Sequence, residues 1–196
     1  MLATINQNFM KNILLSLIII LVFSCETKRK QESQNVSQAN PKKIIGKKFF
    51  EYDEIDHYFN NYDEDKLSEL YDNQSKTEID SFKMGVILDR IPKDSLDLKF
   101  VDKLNEIGYV KTKIPKSKFK GIDSIFIEKS VENPTATGCI YVYRDILIFK
   151  KNDVVVGTAK ICFGCGASQI TGTSAITDNF GQKGDYSILE SLLKRK

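Results

Sequence analysis

Strand-forming positions are densest between Cys139 and Cys165, in CIYVYRDILIFKKNDVVVGTAKICFGC. Residues 139–150 and 154–163 are rich in Ile, Val, Tyr and Phe, and Asn152-Asp153 separates them with side chains that tolerate positive φ. The pattern predicts a β-hairpin with a two-residue loop, at Lys151-Asn152 or Asn152-Asp153. Either loop puts Ile140, Val142, Arg144, Ile146 and Ile148 on one face beside Val155, Gly157, Ala159, Ile161 and Phe163. The other face carries Tyr141, Tyr143, Asp145, Leu147 and Phe149 with Val154, Val156, Thr158, Lys160 and Cys162. A three-residue loop would set Arg144 against Lys160, an unfavourable pairing of like charges. Both faces are largely apolar, so the hairpin is expected at the centre of a sheet covered on two sides.

Upstream, Phe49 to Phe59 alternates imperfectly and reads as a strand that contains His57, the chain's one histidine. Asp63 is placed to cap a helix with Leu67, Leu70 and Tyr71 in one stripe. Ser75 to Glu78 reads as a capping box for a second helix, with Ile79, Phe82 and Val86 at helical spacing and Pro92 as its stop. A third from about Ser95 aligns Phe100, Val101, Leu104 and Ile107, and Gly108 closes it. Ser117 starts a fourth, with Phe119, Ile122, Ile125 and Phe126 facing inward. Asn133-Pro134 to Gly138 is a turn into the hairpin. After Cys165, residues 166–184 are either a short strand with turns or a packed loop anchored by Ile170, Ile176 and Phe180. Ser187 to Glu190 opens a last helix with Ile188, Leu189, Leu192 and Leu193 as its apolar positions, followed by Lys194, Arg195 and Lys196 where cations suit the helix's negative end. The resulting class is α+β: a small antiparallel sheet centred on the 139–163 hairpin, packed with helices from the N-terminal half and a C-terminal helix.

The first 43 residues follow a different pattern. Lys11 precedes an apolar run from Ile13 to Phe23 broken only by Ser16, shorter than the ~20 residues of a membrane span, which reads as an export signal over residues 1–24. Met10 is an equally good start for it. The run ends in Leu21-Val22-Phe23-Ser24-Cys25, which resembles a bacterial lipobox; that resemblance implies acylation of Cys25, by palmitate among other chains, and cleavage before it. Phe23 is larger than usual for its place, whereas Ser24 fits. Residues 25–43 carry one branched aliphatic side chain, Val36, and no aromatics, so they form a flexible tether whose ends sit on the order of 20 Å apart. A single globular domain then spans 44–196. Glu26, rather than Asp, after the lipidated residue implies the outer membrane by the same resemblance.

A near-balance of 29 basic and 26 acidic residues gives +3, without the concentrated basic face of a nucleic-acid binder. The expected partners are the lipid bilayer, through acylated Cys25, and a protein or small ligand; no nucleic acid and no cofactor is expected.

YRDILIFKKN, GTAKICFGC and FGQKGDY in the C-terminal third resemble a group of small bacterial lipoproteins of unknown function. The likeness covers roughly 44–196 in layout and is specific over 139–186. It implies an exported lipoprotein and supplies no activity.

Cys162-Phe-Gly-Cys165 invites redox chemistry, but GASQITGTS follows it where a helix N-terminus would have to lower a thiol pKa. A zinc site would need Cys139, Cys162, Cys165 and His57 together, without a second closely spaced pair. Buried thiols or one structural disulfide is the plainer reading. With Cys25 acylated, three thiols allow at most one bridge in an oxidising compartment. Either two-residue loop brings Cys139 across from Gly164 to Gly166, so the expected bridge is Cys139–Cys165. A diagonal approach of Cys139 to Cys162 stays open. Cys162–Cys165 demands a tight turn at Gly164, because extended residues three apart have Cα atoms ~10 Å apart. Arg144 is a candidate ligand or anion contact, or pairs with a carboxylate on a packed helix, and Asp145 shares a face with Lys160. His57 has no nucleophile elbow to serve, and the acids at Asp53-Glu54, Asp56 and Asp63-Glu64-Asp65 read as solvated faces and caps. The loop 164–184 has no phosphate-binding glycine motif. These readings converge on a membrane-anchored envelope lipoprotein that binds a partner or ligand without catalysis, an inhibitor or immunity type being one version. The alternative is a periplasmic thiol-redox or metal-binding protein using Cys162 and Cys165.

Overall fold

Asn152 and Asp153 both take positive φ, 49° and 63°, as a two-residue hairpin turn twisted with its strands requires. In the computed structural model, which describes residues 46–88, 91–94, 97–131 and 138–193, this turn joins the central and fourth strands of the sheet. The strands are β1 (Glu54–Phe59), β2 (Val110–Lys113), β3 (Asp145–Lys151), β4 (Val154–Cys162) and β5 (Ala167–Thr171), all antiparallel in the order β2-β1-β3-β4-β5. The described α-helices are α1 (Glu64–Asp72), α2 (Glu78–Ile87), α3 (Phe119–Asp123) and α4 (Asp185–Leu193), with a 3-10 helix at Lys99–Lys103. The class is therefore α+β with an antiparallel sheet. Among the described residues no helix is long and apolar enough to cross a membrane.

The ladder departs from the uninterrupted pairing the sequence suggests. Lys151 faces Val154 and Lys150 faces Val155, but Phe149 then faces Gly157, so Val156 is an extra residue, a β-bulge. Beyond it the expected faces exchange. Phe149 and Leu147 share a face with Gly157, Ala159 and Ile161, while Ile148 and Ile146 share the other with Thr158 and Lys160. The reason lies at Gly157. A Cβ there would sit 2.0 Å from Cε1 of Phe50, whose ring instead occupies that slot and stacks on Phe149 with centroids 4.5 Å apart. The slip also separates Asp145, opposite Ile161, from Lys160, opposite Ile146, so the two do not share a face.

Each face of the sheet carries its own apolar layer. Phe49, Phe50, Ile55, Phe126, Leu147, Phe149 and Ile161 meet Ile122 of α3 and Leu189 and Leu193 of α4 on one side. Tyr58, Ile146 and Ile148 meet Val86 of α2 with Phe100, Val101, Leu104 and Ile107 on the other. Lys160 is buried in this second layer, its ammonium donating to the Ile91 carbonyl at 2.6 Å and lying 4.4 Å from the Tyr143 ring centroid.

Several boundaries move for identifiable reasons. The first hairpin strand begins at Asp145, not 139, because the Tyr143 N–H donates to the Ile87 carbonyl and the Val142 N–H to Cys162 Sγ. The first strand begins at Glu54, and Phe49 and Phe50 reach the core from the connector before it. The capping box uses Thr77 and Asp80 rather than Ser75 and Glu78. Asp63 does cap α1, yet no residue of α1 is buried, so its Leu67-Leu70-Tyr71 stripe is not core. Phe100, Val101, Leu104 and Ile107 are buried as a group, but from a 3-10 helix and turns closed at Gly108, φ 92°. Residues 167–171 form a strand, and the last helix begins at Asp185 with Ile188 exposed. The turn at Asn133-Pro134, like residues 1–43 and Cys25, lies outside the described residues.

Gly157→Ala is expected to destabilise the fold by about 1–3 kcal/mol through the clash with Phe50, whereas Gly138→Ala, with no atom of the described residues within 4 Å of the added Cβ, changes little. Urea unfolding of the two variants checks this; equal midpoints would refute the Phe50 slot.

Candidate functional site

Two short segments meet at the open end of the hairpin. Residues 140–144 lead into β3, and Phe163 to Gly166 turn the chain from β4 to β5, the Gly166 N–H donating to the Phe163 carbonyl at 3.3 Å. A disulfide between Cys139 and Cys165, Cα atoms 6.2 Å apart, joins the segments. Cys162 ends β4 as a buried free thiol whose sulfur accepts the Val142 N–H at 3.4 Å. Tyr109 fixes the same segment from the second layer, donating its hydroxyl to the Tyr143 carbonyl at 2.5 Å. Burial, foremost, raises the Tyr109 phenol well above its ordinary pKa, so it holds that proton.

Between the segments lies a cleft of about 160 Å³, walled by Ile140, Val142, Ile161 and Phe163 with Arg144 and Glu64 at its charged end. The Arg144 guanidinium donates from Nη2 to Glu64 Oε1 at 2.9 Å and to the Tyr62 carbonyl at 3.3 Å. Its Nε is buried and has no hydrogen-bond partner among the described residues. The Arg144 side chain is 31% exposed and that of Glu64 78%, so the pair is a surface contact at the cleft mouth. Ile140 is 81% exposed beside the disulfide.

Asp145 also lines the cleft, and its Oδ1 lies 2.9 Å from Nε2 of His57 on the neighbouring strand. Both residues are buried. The β1–β3 register sets His57 opposite Leu147 and Phe59 opposite Asp145, making His57 and Asp145 diagonal neighbours on one face. Sequence reasoning missed this partnership, because it joins residues 88 positions apart. A second missed cluster lies on the other face, where Glu54 and Asp56 of β1 meet Lys111 and Lys113 of β2 and Lys150 of β3. The hydrogen bond to Asp56, foremost, raises Lys150 above its ordinary pKa, and the bond from Lys113 lowers Glu54.

Of the residues singled out from sequence, Arg144, Cys162 and Cys165 line this one cleft, and Cys139 is bonded to the last of them. Cys162 and Cys165 are a buried thiol and a half of a disulfide. Among the described residues no three or more His, Cys, Asp or Glu side chains are grouped to hold a metal. A second hollow, about 280 Å³, includes Tyr141, Ser168, Asp178 and Tyr186. Compared with known proteins, the chain matches no family model, no curated protein and no solved structure.

Non-reducing peptide mapping is expected to link Cys139 to Cys165, with Cys162 alkylated only after denaturation. Cys139→Ser is expected to lower stability by about 2–4 kcal/mol. A Cys162–Cys165 peptide in the native protein would overturn this pairing.

Proposed function

We propose that the chain is a lipid-anchored protein of the bacterial cell envelope that binds a partner at the Arg144 cleft and has no catalytic step of its own. The observation carrying this reading is a small, covalently stapled hollow that presents exposed Ile140 beside one guanidinium. An apolar anchor point next to a single cation suits recognition of a partner. Groups there that could act chemically hold structural bonds: the Cys139 and Cys165 sulfurs to each other, and His57 to Asp145. The anchor rests on the apolar run ending in Ser24-Cys25 and the polar stretch behind it, with Glu26 favouring the outer membrane. In this reading the 139–163 hairpin is the rigid centre of the domain, and residues 25–43 are the leash that lets it reach a partner. An inhibitor or immunity-type lipoprotein, like the small bacterial lipoproteins its C-terminal third resembles, fits this description. The thiol-redox alternative draws on one observation, that Cys162 and the bridged Cys165 line the same cleft; the mapping above decides it.

Cys25→Ser is expected to move the protein from the membrane to the soluble fraction and to remove the acyl mass from the intact protein. An unmodified Cys25 thiol in the mature wild-type chain would end the anchoring proposal. A photoreactive residue at Ile140 is expected to crosslink one partner in the intact envelope, and the same probe at exposed Tyr71 is not. Equal labelling from both positions would remove the cleft from the proposal.

A further inference from the structure

We infer that the Arg144 cleft takes the carboxyl-terminal residue of a partner polypeptide. The partner's free α-carboxylate replaces Glu64 on the guanidinium, and its last, apolar side chain lies against Ile140, Val142 and Phe163. This rests on the partner-binding reading of the same cleft and names the chemistry of the partner's anchor.

Size comes first. A drug-sized ligand needs a pocket of roughly 300–1,000 Å³, and this cleft offers about 160 Å³. It therefore holds one residue's worth of a larger body and is too small for a long acyl chain. The charges then select the kind of residue. Among the described residues Arg144 is the one cation lining the cleft; the acids there are Asp145, whose Oδ1 is already on His57, and Glu64. Glu64 is a displaceable occupant. Its side chain is 78% exposed, it sits in the first turn of α1, and α1 has no buried residue to hold it in place. Such an exposed ion pair contributes little and yields readily to a competing carboxylate.

The guanidinium itself shows what is missing. Nη2 has its acceptors, while Nε is buried without one among the described residues. A carboxylate approaching side-on meets Nε and Nη2 together, the bidentate geometry arginine offers and lysine does not. The apolar wall completes the assignment. An acidic side chain within a partner would satisfy Arg144 but leave Ile140, Val142 and Phe163 bare, whereas a terminal residue carries its carboxylate and its apolar side chain on the same carbon. Terminal carboxylate capture is a recurring mode of peptide recognition.

The test uses purified mature protein labelled at isoleucine methyls and arginine Nε, titrated by NMR. The probes are acetylated Gly-Gly-Val and Gly-Gly-Leu with free carboxyl ends, the same peptides amidated, and butyrate. The free acids are expected to shift the Ile140 and Ile161 methyls and Arg144 Nε saturably. The amides, and the free acids on Arg144→Gln, are expected to bind at least about tenfold more weakly, as loss of a charge-assisted hydrogen bond implies. Glu64→Gln, which keeps the helix and removes the competitor, is expected to tighten the free acids by up to about fivefold. Equal binding of acids and amides, butyrate binding as well as the peptides, or weaker binding by Glu64→Gln would each overturn the inference. If Ile140 still crosslinks a partner in the envelope while acids and amides do not differ, only the terminal-carboxylate assignment falls. If Ile140 also captures nothing, the binding reading falls with it.

Discussion

The one-residue slip in the β3–β4 ladder governs most of what surrounds it. With Val156 as the extra residue, Gly157 comes opposite Phe149 and admits the Phe50 ring. That choice assigns every later residue of the hairpin to a face. It sends Ala159 and Ile161 to join Leu147 and Phe149 in the layer with α3 and α4, and Thr158 and Lys160 to the face of Ile146 and Ile148, toward α2. It also puts Lys160 on the face where the Ile91 carbonyl and the Tyr143 ring receive its ammonium. A regular ladder would have turned Lys160 away from those partners, at a cost of several kcal/mol for a buried unpaired charge.

Sequence pattern identified the apolar positions better than the backbone that carries them. Phe100, Val101, Leu104 and Ile107 are spaced for one side of a helix, and all are buried together although the chain there is 3-10 and turn. A stripe records which side chains point the same way, and a tighter coil preserves that over a turn or two. The α1 stripe shows the converse. Leu67, Leu70 and Tyr71 are correctly spaced, but spacing does not tell whether another element covers them. β2 was not legible because VKTK is an edge strand exposed at all four positions, so it carries no core-facing alternation. The bulge was hidden for another reason: Gly157 signals it only once Phe50, more than a hundred residues earlier, is known to lie above it.

The candidate site was legible as a list and not as an arrangement. Arg144, Cys139, Cys162 and Cys165 stood out by residue type, and the hairpin register brought the two ends of the run together. The remaining parts come from elsewhere: Glu64 from α1, His57 from β1 and Tyr109 from the approach to β2. Each meets the hairpin across tens of residues, a relation that local spacing does not encode. The exposure of Ile140, which gives the cleft its anchor point, likewise follows from the segment leaving the ladder before Asp145 rather than from its strand-like composition.

The bond between Cys139 and Cys165 also has a mechanical meaning. It closes a loop with a sequence separation of 26 that contains the whole β3–β4 hairpin. A pull applied to the two ends of the chain enters at Cys139, crosses the sulfur pair and leaves at Cys165, so the enclosed residues carry no extension. At the ~3.4 Å per residue of a stretched chain, the bridge withholds about 90 Å of contour length. The outer strands can be drawn away under load, but the hairpin at the centre cannot be unravelled by tension while the bond is intact.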